Sequence, residues 1–296
     1  MTLKAQNPLL LAEKQGDASP LFIGGNQPTM LVVMNTQQSS VFLAPQPTGP
    51  LAKQGARWAV LLLHGFTSVP SAVLPWGHAL AAAGATVHIP LLSGHGTSVV
   101  DLSCTTARQW RIDVQQALDG LFRQGFDHIA VGGLSMGGTL ALDAAANRPV
   151  DVTFVVNPAL SFKPLDCVGA IASSFIHRLV PTVGPLAGDI KKPGVSEQAY
   201  DRTPTAAVHQ LARLFSTARR RLSRISAPVK LYWSTQDHIV PASSAKILEN
   251  NTSSGLFQKV VLDRSYHVAT LDFDAEVIHE HSVATLMQLS GASDDS

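Results

Sequence analysis

The chain has 296 residues, enough for one large α/β domain with an insertion and a sizeable buried core. Its net charge of +1, with a sequence pI near 7.9, offers no basic surplus for a nucleic acid partner. Its two cysteines, Cys104 and Cys167, lack CxxC spacing, which excludes a metal cluster or a disulfide framework and leaves both expected as reduced core residues.

In chain order, the opening MTLKAQNPLLLAEKQGD holds only a short apolar cluster, Pro8 to Ala12, before charge returns. No run of about 18 apolar residues occurs anywhere, so the expectation is a cytoplasmic protein without an integral membrane segment. Residues 1–55 carry short apolar runs at Leu21 to Ile23, Met30 to Met34 and Val41 to Leu43, set among Gly, Asn, Gln, Ser and Pro. These runs suit edge strands of the same sheet or a partly disordered segment. From Trp58 the pattern sharpens. WAVLLLHGF (58–66) reads as a buried strand, Ser71 to Ala83 as a helix capped by Gly84, and ATVHIP (85–90) as the next strand. Thr106 to Arg123 reads as an amphipathic helix with Trp110, Val114, Ala117, Leu118 and Leu121 on its apolar side. Alternating helices and continuous apolar strands predict a mostly parallel sheet covered on both faces.

The stretch GLSMGG (133–138) follows the apolar run Ile129 to Val131 and precedes the helical residues Thr139 to Ala146. A serine between glycines at a strand-to-helix turn is the setting for a nucleophile, here Ser135. Gly133 and Gly137 are needed because side chains there would strike the neighbouring strand and helix. In an open α/β sheet, reactive groups gather at the carboxyl ends of strands, where both His64-Gly65-Phe66 and Gly133 to Met136 fall. The backbone N–H groups of Phe66 and Met136 are therefore expected to form an oxyanion hole, each donor contributing about 3 to 4 kcal/mol in the transition state. His64 precedes the serine in the chain and is expected to order its loop rather than act as base.

Past a strand at VDVTFVVN (150–157) the rhythm breaks. Residues 158–206 carry six prolines and one amphipathic segment, Val168 to Val180, whose Ile171, Phe175, Ile176 and Leu179 recur at helical spacing. This insertion is expected to cap the sheet's active edge and line an acyl pocket, with residues 56–157 and 207–296 forming the core. Arg213, Arg219, Arg220, Arg221 and Arg224 alternate with Leu214, Phe215 and Leu222 and read as a solvated helix face. The strand VKLYWS (229–234) leads into Asp237, and QKVVL (258–262) leads into His267, before a final helix from about Phe273 to Leu289. Serine, acid and histidine at the ends of three strands in that order compose a triad. His267 would take the Ser135 proton and Asp237 would hold its ring. His238 adjoins the acid and would lie on its far side. His279 and His281 are two apart on a helix, facing different ways, and form neither a zinc pair nor a base.

The motifs HGFTS (64–68), GHG (94–96), GLSMGG (133–138), DRTP (201–204), QDHIVP (236–241) and SYHVATLD (265–272) occur in order, and over about residues 57–289 the chain resembles bacterial carboxylesterases and monoacylglycerol lipases of the α/β-hydrolase fold. That resemblance implies an α/β-hydrolase core with a small cap at about 158–206, Ser135, Asp237 and His267 as the triad, and Phe66 and Met136 at the oxyanion hole. It implies no metal and no organic cofactor. The expected substrate is a small-molecule carboxylic ester, a monoacylglycerol or similar medium-chain ester favoured. A thioesterase, amidase or acyltransferase would use the same triad, and a ligand receptor could retain the fold. Tyr266 departs from the family pattern, which commonly has glycine before the histidine, and a narrower pocket is expected from it.

Overall fold

The computed structural model describes residues 39–163 and 180–291. Among them the strands are β1 (Val41–Leu43), β2 (Trp58–Leu63), β3 (Thr86–Ile89), β4 (His128–Leu134), β5 (Val152–Val156), β6 (Thr182–Val183), β7 (Thr203–Pro204), β8 (Val229–Ser234) and β9 (Phe257–Leu262). The helices are α1 (Pro50–Lys53), α2 (Leu74–Ala83), α3 (Val99–Cys104), α4 (Ala107–Arg123), α5 (Met136–Ala145), α6 (Thr205–Arg219), α7 (Ser243–Asn251) and α8 (Ala275–Gly291). Seven strands form one sheet in the order β1-β3-β2-β4-β5-β8-β9. All pairings in it are parallel except that of β1, which runs antiparallel along β3, Val41 opposite Ile89.

Strand β2 shows why its sequence is an unbroken apolar run. Ala59, Leu61 and Leu63 pack into one core cluster with Trp110, Val114 and Leu118 of α4 and with Leu140 of α5. Trp58, Val60 and Leu62 pack into the other, with Trp76 and Leu80 of α2 and Ile278 and Leu286 of α8. A strand with helices on both faces has no side to give to water, so alternation disappears. Two indoles pin α8 to the core: Trp76 Nε1 donates to Ser282 Oγ at 2.9 Å and Trp58 Nε1 to Ser290 Oγ at 2.8 Å. Each polar end of a large apolar side chain thereby finds an acceptor inside the core.

Local chemistry sets the element ends. Thr106 and Gln109 make a reciprocal capping box at the start of α4. Gly84 ends α2 at φ 108°, and a Cβ there would come within 2.8 Å of the Ala52 nitrogen, so this glycine serves both a left-handed cap and the close approach of α1. Helix α2 begins at Leu74 rather than Ser71, because Pro70–Ala72 forms a separate 3-10 turn. The run at Val41 to Leu43 is β1, at one edge of the sheet. The runs at Leu21 to Ile23 and Met30 to Met34 lie outside the described residues.

Two expectations are corrected. Cys104 is exposed at the end of α3 rather than buried in the core, since its turn faces solvent; Cys167 lies outside the described residues. Arg221 is not simply solvated: its Nη1 lies 2.7 Å from Asp143 Oδ1 of α5, while Arg111 Nε of α4 takes the other carboxylate oxygen at 2.6 Å. A nearly buried carboxylate needs such partners, and here it draws two arginines onto itself. Among the described residues no helix is long and apolar enough to cross a membrane.

Candidate active site

The chain leaves β2, crosses to β3 on one side of it, then returns to β4 on the other. Crossovers from neighbouring strands thus diverge between β2 and β4, opening a crevice at their carboxyl ends where a ligand can sit. Ser135 occupies that point between β4 and α5, at φ 55° and ψ −116°. This is costly backbone for a residue with a Cβ, and it is held by the Ser135 N–H donating to Val156 O at 2.9 Å and by the packing of the turn. A Cβ on Gly137 would stand 2.2 Å from Leu63 O, and one on Gly133 would stand 2.4 Å from Gly137 C. Both glycines are therefore required for the close approach of β2 and α5, as the motif implied. Among the described residues the non-glycine positions at positive φ are Ser135 and Asn157, the first residues after β4 and β5, and Thr67, in the loop after β2.

The Gly65–Phe66 peptide lies beside the serine, since a Cβ on Gly65 would be 3.7 Å from Ser135 Cβ. Met136 is the first residue of α5, so its N–H has no carbonyl one turn back to bond within the helix. His64 is fully buried, with Nδ1 2.9 Å from Gly65 O and Nε2 accepting from Leu92 N at 3.2 Å. Burial, and then the neighbouring His95, push its pKa down to about 3. A neutral ring with both nitrogens engaged orders the loop and is not free to serve as a base.

Asp237 and His267 meet across the loops that follow β8 and β9. His267 Nδ1 lies 2.7 Å from Asp237 Oδ2, and Asp237 Oδ1 accepts from Ile239 N and Val240 N, both at 2.8 Å. With Nδ1 bonded to the carboxylate, Nε2 is the nitrogen left for a proton from elsewhere. Burial alone would lower the His267 pKa; the charge of Asp237 and its hydrogen bond, helped by Glu197 and Asp189, raise it above the ordinary 6.5. His238 turns away from Asp237: its Nδ1 is 2.9 Å from Asp189 Oδ1 and its ring meets Tyr266 edge-on at 4.4 Å. Tyr266 packs on His238 and under Lys191 Nζ and does not line the cavity. His281 Nδ1 pairs with Tyr232 Oη at 3.0 Å, and His279 Nδ1 lies 3.6 Å from Glu276, so the two rings have separate partners.

Ser135 and His267 both line one cavity of about 320 Å³, together with Gly65 and Phe66. Its walls are mostly apolar. Val183 and Leu186 come from the segment after residue 180, and Val208, Leu211 and Phe215 from one face of α6. The helical spacing of those last three residues is present in the sequence, but the expectation above places residues 207–296 in the core and gives these three no part in the pocket. Glu197 is the one carboxylate on the lining among the described residues, and Lys163 the one ammonium. Of the segment Val168 to Val180, expected to line the pocket, Val180 is on the lining, and residues 168–179 lie outside the described residues.

A strained serine at a strand-to-helix turn, at a parallel sheet's crevice and sharing a pocket with a carboxylate-held histidine, is an arrangement suited to nucleophilic hydrolysis. Residues 60–280 match the alpha/beta hydrolase family, and the chain belongs to it. It is 38% identical over 244 residues to the thermostable monoacylglycerol lipase of Bacillus sp. (strain H-257), covering 82% of this chain and 95% of that protein. To the carboxylesterase of Bacillus subtilis (strain 168) it is 26% identical over 231 residues, covering 78% and 93%. A solved structure from LipS and LipT, two metagenome-derived lipolytic enzymes, superposes with a TM-score of 0.78 at 31% identity, covering 86% of this chain and 98% of that one. The Paleococcus ferrophilus monoacylglycerol lipase shares the fold, with a TM-score of 0.67 at 18% identity over 84% of this chain and 98% of that one.

Proposed function

We propose that this ester hydrolase works through an acyl-enzyme on Ser135, with His267 as general base and Asp237 as the carboxylate that holds it. His267 Nε2 takes the proton from Ser135 Oγ as the oxygen attacks the acyl carbon, and the Phe66 and Met136 N–H groups receive the negative charge that forms on the carbonyl oxygen. Collapse breaks the ester bond, and the imidazolium returns its proton to the leaving alcohol. Water, activated by the same nitrogen, then attacks the acyl-enzyme and releases the acid, leaving the site as it began. No metal or organic cofactor enters these steps. The observation that carries this reading is that a strained serine and a buried histidine, its ring held by Asp237, line one apolar cavity.

The substrate we infer is a medium-chain ester of the monoacylglycerol kind. The apolar walls from residue 183 to Phe215 suit an acyl chain, and Glu197 offers an acceptor to a hydroxyl-bearing alcohol near His267. Residues 158–206 are read as a cap over this pocket. The relatives named for monoacylglycerol and carboxylic esters fit that choice. A fluorophosphonate is expected to label the folded protein at Ser135, located by mass spectrometry, because only an activated serine displaces fluoride at a useful rate. Labelling elsewhere, or none, removes the acyl-enzyme reading. A panel of nitrophenyl esters graded by chain length, run beside monoacylglycerols, then fixes the acyl preference.

A further inference from the structure

Both loops that carry the acid and the base are held by a residue of the segment that covers them. Asp189 lies far from Asp237 and His267 in sequence, yet its Oδ2 accepts from His267 N and from His238 N, each at 3.1 Å, and its Oδ1 is 2.9 Å from His238 Nδ1. Its own carbonyl accepts from Val268 N at 3.1 Å. One carboxylate oxygen thus stands between the backbone of the base and the residue next to the acid. The neighbouring residues reinforce the join. Buried Asp272 accepts from Lys191 N at 2.7 Å and Lys192 N at 2.9 Å while also accepting from Tyr266 N at 2.9 Å, and Lys191 Nζ reaches Gln236 Oε1 at 2.9 Å. From the opposite side, Asn157 Nδ2 donates to His267 O at 2.8 Å. The backbone of His267 is therefore gripped at its N–H from the covering segment and at its carbonyl from the sheet.

We propose that Asp189 is a positioning residue for the triad, its carboxylate setting the separation of the acid loop from the base loop and tying that separation to the segment that covers the pocket. The proposal rests on the triad reading above. Two properties of Asp189 are separable. Its oxygen supplies geometry, by accepting two N–H groups that would otherwise find no common partner, and its charge acts on the imidazole. The charged groups that raise the His267 pKa are Asp237, Glu197 and Asp189, against the opposing effect of burial. Removing the charge of Asp189 therefore lowers the pKa of the base, and the acid limb of kcat/KM moves to lower pH, because the ring stays unprotonated further down.

The test measures kcat, KM and the pH profile on nitrophenyl butyrate, with rates normalised to sites titrated by a fluorophosphonate. Wild-type labelling at Ser135 establishes the nucleophile independently, so a failure of the clamp is read on a protein whose serine is already assigned. Asp189→Ala removes oxygen and charge together. It is expected to lower kcat per titrated site by about 10- to 100-fold with KM within about twofold, the scale on which a misplaced catalytic group loses rate. Asp189→Asn keeps an oxygen for both N–H groups and loses only the charge; it is expected to recover most of kcat while its acid limb still moves to lower pH. A residue that merely supported the fold would reduce the fraction of titratable sites and leave the limb in place. Wild-type kcat per site in Asp189→Ala, or an unmoved limb in Asp189→Asn, overturns the proposal. The asparagine variant carries the test alone if the alanine variant does not fold.

Discussion

Burial and charge pull the His267 ring in opposite directions, and charge wins. Its pKa lies above the ordinary 6.5, and a protonated ring cannot take the serine proton, so kcat/KM is expected to fall as pH drops through a value above 6.5; the limb is read from a pH–rate profile on any soluble ester. Its near rival, His238, is exposed and spends its Nδ1 on Asp189. His267→Ala should therefore lose on the order of 10⁴ to 10⁶ in kcat, Asp237→Asn should approach that loss by misorienting the ring, and His238→Ala should lose less than about tenfold. Single-turnover rates on the three variants decide the matter; a dead, folded His238→Ala beside an active His267→Ala would overturn the assignment. That Ser135, Asp237 and His267 fall at the ends of β4, β8 and β9, where Asp237 and His267 meet, was legible in the sequence because each is a distinctive residue type just past an apolar strand; their roles remain the proposal made above. Asp189 and Asn157 could not. They recognise backbone N–H and C=O groups of residues remote in sequence, and every residue presents those groups alike, so no pattern of types records the contact.

At the scale of elements, β2, β3, β4, β5 and β8 were recoverable because two-sided burial writes a continuous apolar run, while the two-residue β6 and β7 and the four- and six-residue α1 and α3 leave no periodic trace. The boundary between core and cover was harder. Helix α6 belongs to the core through Leu214 and Ala218, yet presents Val208, Leu211 and Phe215 to the pocket. A helix serving two apolar surfaces looks in sequence like one serving a single wide face, which hid its second role. Leu211→Trp should fill the cavity from that face. KM for long-chain nitrophenyl esters is expected to rise by about tenfold or more, roughly the effect of one or two methylenes in a hydrophobic site, while the acetate ester is changed by less than about twofold. Equal effects on both esters would mean that the acyl chain lies elsewhere.

The whole molecule is joined across its helical layer by Asp143, which takes Arg111 from α4 on one oxygen and Arg221, just past α6, on the other. The carboxylate is nearly buried, whereas both guanidiniums reach solvent, so breaking the trio should cost less than a fully enclosed pair. Asp143→Ala is expected to lower unfolding free energy by about 2 to 3 kcal/mol, measured by urea titration, with the fluorophosphonate labelling rate of the folded variant unchanged. The order of the strands carries a different consequence. A ribosome delivers the chain from its amino end, so the serine turn and the loop after β2 emerge long before β8, β9 and the two loops that close over them. Throughout that interval the nascent polypeptide presents Ser135 with neither Asp237 nor His267 beside it. On the triad proposed above, the nascent chain is expected to cleave no ester until the loops after β8 and β9 have emerged and folded against the serine turn.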